Sequence, residues 1–123
     1  MSGRRPESVY GVGDEPDPRF SLANERTALA WVRTSLALVA GGVGLTSLAA
    51  VADLSRLLDV VAAVLCLAGG ALAVRAVAGW RAGERALRLR EPLPAPRSLT
   101  WLAVLVAALA AVLAVAAAAQ VLR

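Results

Sequence analysis

Three stretches of this chain contain no charged residue: Thr34 to Val51, Val60 to Val74 and Ser98 to Leu122. Crossing a hydrocarbon core of about 30 Å takes roughly 20 predominantly apolar residues in a helix rising 1.5 Å each. The third stretch, 25 residues long, meets that length outright. The first, 18 residues long, meets it once Leu29 to Val32 are added, which leaves Arg33 near the interface. The second has 15 residues and becomes a full span only from Leu57 to Trp80. That extension encloses Asp59 and Arg75, each close enough to a helix end for its side chain to reach the headgroups. An arginine at the bilayer centre costs roughly 2.5–3.5 kcal/mol, and one near the edge far less. A pair of buried helices in a soluble protein does not account for three such segments in 123 residues. The expected fold class is an all-α membrane protein with three transmembrane helices, spanning about 29–51, 57–80 and 99–122.

The rest of the composition narrows the function. Residues are 59% hydrophobic and only 18% charged, against about a quarter charged in ordinary soluble domains. There is no histidine, so the commonest general base and metal ligand is missing. Cys66 is the only cysteine, which excludes a disulfide framework. Without a metal-ligand cluster, a nucleophile–base pair or a glycine-rich phosphate loop, no enzyme, metal or cofactor is expected. Nucleic-acid binding is not expected either, because no recognition fold or stacking aromatics accompany the basic charge.

Charge placement sets the expected orientation. Arg4, Arg5, Arg19, Arg26 and Arg33 precede or open the first span. The turn from Ala52 to Asp59 has Arg56 against two aspartates, whereas Arg75 to Arg97 holds six arginines against Glu84 and Glu91. Positive-inside counting puts the N-terminus and the second connection in the cytoplasm, and the short turn and C-terminus outside. Trp31, Trp80 and Trp101 all fall at that cytoplasmic interface, as an aromatic belt requires. The location this implies is a membrane crossed several times, with the arginine-rich side facing the cytoplasm. Arg4-Arg5 superficially resembles a twin-arginine signal, but no apolar run follows before Leu29, so no cleavable leader is expected. Residues 1–16 read as a disordered polar tail, and 17–123 as the membrane domain.

A charged helical segment is expected to lead into the first span. Asp17 is a candidate N-cap with Pro18 in the first helical position, and no Gly or Pro follows until Gly41. Asn24, Thr27, Trp31, Thr34, Ser35 and Leu38 share one side of that helix. Arg26 and Arg33, seven apart, project nearly in register. Glu25 and Arg26 point about 100° apart, so each needs a partner on another helix or another subunit. Lipid phosphate is the plainer partner for these arginines, and a specific network the sharper one.

Small residues mark candidate packing faces. Gly41, Gly42 and Gly44 lie in the first span; Ala62, Cys66 and Gly70 step by four along the second, with Gly69 adjacent. Such spacing lets helices approach closely in lipid, and Cys66 is expected to pack rather than react. Beyond the second span, Arg81, Arg85 and Arg88 form a basic stripe at i, i+4 and i+7. Its plain role is to hold anionic headgroups; its sharper one is to dock an acidic partner. Pro92, Pro94 and Pro96 force an extended link, after which Ser98 is a candidate cap.

These residues also carry a resemblance. The run from Arg19 through Asn24-Glu25-Arg26-Thr27, Leu29-Ala30-Trp31 and Arg33-Thr34 resembles the signature of the YidH family. That family comprises small bacterial inner-membrane proteins catalogued as domain of unknown function 202. The likeness continues through Gly41-Gly42-Val43-Gly44-Leu45, Cys66-Leu67, Gly69-Gly70, Trp80-Arg81 and Glu84-Arg85-Ala86 to Glu91. It departs at Ala28, where the family often has phenylalanine, and at Pro92, where an acidic residue is common. The resemblance implies a three-helix membrane unit. A related domain forms the membrane part of the fungal vacuolar transporter chaperone complex, which makes and translocates polyphosphate along a path lined by basic residues. By that likeness, Arg26, Arg33 and Arg75 are candidate contacts for an anionic ligand such as phosphate or polyphosphate.

Two functions are then in contention. One is a structural or accessory membrane unit that forms homo-oligomers through its small-residue faces. The other is an anion channel or transporter subunit, which three helices can form only as a ring.

Overall fold

The computed structural model describes residues 3–52 and 56–123, which form four helices: α1 (Glu7–Tyr10), α2 (Pro18–Ala52), α3 (Arg56–Leu89) and α4 (Arg97–Val121). Residues 53–55 of the expected outer turn lie outside the described residues, as do residues 1 and 2. The last three helices are each long and apolar enough to cross a membrane. They run past the expected spans at the arginine-rich end. At 35 and 34 residues, α2 and α3 are each about 50 Å long, some 20 Å more than a hydrocarbon core needs.

α2 starts where local chemistry dictates. The Asp17 carboxylate accepts the Arg19 N–H at 2.9 Å, and Pro18 occupies the first turn without wasting a donor. Along the helix, Thr27, Thr34, Thr46 and Ser47 each donate a hydroxyl to the carbonyl four residues back, at 2.9–3.1 Å. Hydroxyls satisfied in this way can face lipid without an unmet hydrogen bond. α3 ends at Leu89 as Arg90 turns into the left-handed region (φ 57°) and Glu91 N–H reaches back to Ala86 O at 2.9 Å. The prolines then carry the chain to α4. Its cap position is Pro96 and no side chain caps it, so Ser98 lies within the first turn rather than acting as the cap.

α2 and α3 pack as an antiparallel hairpin, and the contact is built from small residues seven apart. On α3 these are Ala62, Gly69, Ala76 and Gly83, all buried. Facing them on α2 are Ser35 and Gly42, both buried, with Ala28 and Ala49 half-buried on the same line. A seven-residue step drifts only about 20° per repeat, so both lines stay at the contact for its whole length. The four-residue line Ala62–Cys66–Gly70 drifts about 40° per step and leaves it. Gly42 and Gly69 therefore sit in the interface: a Cβ on Gly42 would lie 2.8 Å from Ala62 O, and one on Gly69 2.8 Å from Ser35 O. Gly44 and Gly70 face open space, and Gly41 is only loosely approached by Leu65. Cys66 sits against Gly42 with its thiol 4.0 Å from Val39 O, as a packing residue does. α4 makes little contact with α3 and buries none of its residues.

Candidate functional site

At the arginine-rich end the hairpin line closes on a buried carboxylate. Glu84, 4% exposed, follows Gly83, whose missing side chain admits Asn24: a Cβ there would be 2.6 Å from Asn24 Oδ1. Asn24 Nδ2 donates to Trp80 O at 3.0 Å and to Glu84 Oε2 at 3.2 Å. Ser21 Oγ donates to Glu84 Oε1 at 2.6 Å. Both carboxylate oxygens are thus met by neutral donors from α2, tying the two helices together at the arginine-rich end. In the sequence, Ser21 and Glu84 stood out only within the family likeness, and nothing there paired them. They lie 63 positions apart, and only the hairpin register brings them together.

The second feature is a strap formed by residues 3–16. Where composition suggested a disordered tail, the structure has a short helix, α1, docked against α3 with Val9 fully buried. Arg88, 7% exposed, is the anchor. Its Nε donates to Val12 O at 2.9 Å, Nη2 to Tyr10 O at 3.2 Å and Nη1 to Glu15 Oε2 at 3.2 Å. Arg85 Nη1 donates to Ser8 O at 2.7 Å, and Asp14 N–H returns a bond to Arg88 O at 3.1 Å. Gly13 (φ 61°) passes so close to Arg88 O that no side chain fits there. The Tyr10 ring lies 6.3 Å from that of Trp80, with the Arg4 guanidinium 4.9 Å above it. Arg4 also pairs with Glu15, whose carboxyl is held below its usual range, first by the hydrogen bond from Arg4 and then by that from Arg88.

The basic stripe is therefore not one free surface. Arg85 and Arg88 are engaged by strap carbonyls, and Arg81 alone stays exposed without a hydrogen bond or ion pair among the described residues. The candidate anion contacts are also separated. Arg26 and Arg33 are exposed and lie about half a turn round α2 from Asn24, Ser35 and Gly42, on the side away from α3. Arg75 lies on α3, lining a groove of about 450 Å³ with Trp31, Trp80 and the proline link, and a second of about 400 Å³ beside α4. Glu25 is exposed, and like these three arginines makes no ion pair among the described residues. Only Asn24 of the expected network meets a charged side chain. No group of three or more potential metal ligands occurs among the described residues.

A tight small-residue hairpin, a third apolar helix and a polar closure at one end define a small multi-pass membrane protein. The chain belongs to the family described as Domain of unknown function (DUF202), which it matches over residues 19–86, the α2–α3 hairpin as far as Ala86. It is 46% identical to inner membrane protein YidH of Escherichia coli over 91 residues, 74% of this chain and 79% of that protein. It is 40% identical to the uncharacterized protein Rv2272 of Mycobacterium tuberculosis over 93 residues, 73% of this chain and 74% of that one. No solved structure matches it. With its three apolar helices, the kinship places the chain in the bacterial inner membrane.

Proposed function

We propose that the protein is a non-catalytic structural unit of the inner membrane that self-associates through the outer face of α2, with its arginine-rich end in the cytoplasm. The observation that carries this reading is the unused glycine. Gly41 and Gly44 have no close neighbour in the folded chain, as Gly70 and Gly79 on α3 have none, yet glycine costs about 1 kcal/mol relative to alanine inside a helix. Only on α2 does such a glycine extend an exposed line of small residues seven apart. Gly44 continues the line Ala23, Ala30, Ala37, all exposed and seven apart on the side of α2 away from α3. In lipid such a face gains most from another helix backbone brought close. Glu25 and Arg26, about 100° apart at one depth, would find opposite partners on the two neighbouring copies of a closed assembly. Cross-linking in native membranes and mass in mild detergent test this. Gly44→Leu should dissociate the assembly, and Gly70→Leu, on α3, should not. Equal masses for both variants would remove the α2 face as the contact.

One observation favours a second reading, an anion path at the centre of such a ring. Arg26 and Arg33 lie on the same outer face, seven apart and unpaired, where they would line the axis. Vesicles of the assembled protein would then pass phosphate or short polyphosphate, and Arg33→Glu would stop the flux. Tight vesicles leave the structural unit alone.

A further inference from the structure

We propose that the slot between α3 and the start of α4 is a binding site for one anionic phospholipid, its phosphate held by Arg75 and Arg97 and an acyl chain filling the slot. α4 makes little contact with α3, and a gap of about 400 Å³ lined by both helices and by Leu38 of α2 lies beside the start of α4, within the range of ligand sites. Leu38, Ala68, Leu72, Leu102 and Leu105 wall this gap with hydrocarbon. Leu105 is eight residues, about 12 Å, along α4 from Arg97, so the walls run from the interface into the bilayer. An apolar-walled space at that depth suits an acyl chain.

The polar groups gather at the mouth. Arg75 and Arg97 both line it and both are exposed. Neither side chain makes a hydrogen bond or ion pair among the described residues, in contrast to Arg85 and Arg88 nearby. Ser98 also lines the slot, and no side chain caps the α4 N-terminus, whose dipole adds positive potential at the same place. Trp101 flanks the mouth at the level where an indole ring prefers to lie. Two unpaired guanidinium groups above an apolar slot match a phosphodiester above an acyl chain in both charge and depth. Self-association is not required for this site.

The test uses the full chain purified in mild detergent with equal phosphatidylglycerol and phosphatidylcholine, and native mass spectrometry to count retained lipid. The wild type should keep one phosphatidylglycerol in preference to phosphatidylcholine, with glycerol phosphate unable to displace it. The Arg75→Gln/Arg97→Gln double variant should retain about tenfold less, since each arginine near an anionic headgroup is worth several-fold in binding. Arg33→Gln, which removes the same charge from the outer face of α2, away from the slot, should retain lipid as the wild type does. Ala71→Phe should lower retention with both arginines in place, by filling the slot. Equal loss in Arg33→Gln, displacement by glycerol phosphate, or full retention in either slot variant would each overturn the proposal. Both arginines are exposed, and an unchanged helical circular dichroism signal separates lost binding from lost folding.

Discussion

Among single residues, the hairpin depends on side chains that are absent. Gly69 and Gly70 are neighbours, but only Gly69 faces α2, where an added Cβ would be 2.8 Å from the Ser35 carbonyl oxygen and 2.6 Å from Val39 Cγ2. A backbone carbonyl cannot swing aside, so Gly69→Ala should force the helices apart and cost about 1–3 kcal/mol, as overpacking does. Gly70→Ala, into open space, should be neutral or stabilise by up to about 1 kcal/mol through helix propensity. Unfolding in mixed detergent micelles compares the two, and the reverse order would refute the close-approach account. These glycines were visible as candidates in the sequence, but their phase was not. Which member of Gly41-Gly42 or Gly69-Gly70 meets the partner depends on helix rotation, which the partner's register fixes. The role of Glu84 was hidden for a related reason: its donors Ser21 and Asn24 lie on the other helix, so the local run that contains it does not show the pairing.

For whole elements, the spans were legible because missing charge is a local property, and the helix start at Asp17 and the proline break at 92–96 are local as well. The strap was not. Residues 3–16 have no apolar periodicity, and what holds them is the fit of Arg85 and Arg88 donors to main-chain carbonyls, which no side-chain pattern records. Part of that fit titrates. The Glu15 carboxyl is held below its ordinary range by Arg4 and Arg88, so its contribution to docking is complete above the ordinary carboxylate pKa. It is lost as pH falls through the lowered value of the docked state. The amide of Asp14, bonded to Arg88 O, reports docking directly. Its hydrogen exchange, corrected for intrinsic rate, should accelerate at acid pH, and Glu15→Gln should already be fast at neutral pH and insensitive to acid. The change is expected to be modest, because Glu15 is exposed and Arg88 keeps its bonds to Tyr10 and Val12.

Across the whole molecule, folding converts scattered charges into one asymmetric distribution. The antiparallel hairpin and the docked strap bring the arginines at 4, 5, 19, 26 and 33 to the same end as those at 75, 81, 85, 88, 90 and 97. Eleven of the 13 arginines thus lie at one end, leaving Arg56 and Arg123 at the other. Seven of the nine acidic residues share the crowded end, but acidic residues contribute little to orientation, so the arginine count decides it. An odd number of spans then places residues 8 and 123 on opposite sides of the membrane. In a Cys66→Ala background, Arg123→Cys should react with a membrane-impermeant maleimide added to cells with a permeabilised outer envelope. Ser8→Cys should react only after the inner membrane is opened. Ser8 offers only its main-chain carbonyl to Arg85 and its side chain is exposed, so the substitution leaves the strap docked. Labelling of residue 8 with residue 123 protected would invert the molecule, and the arginine-rich end would then face the periplasm against the bias that arginine exerts during insertion.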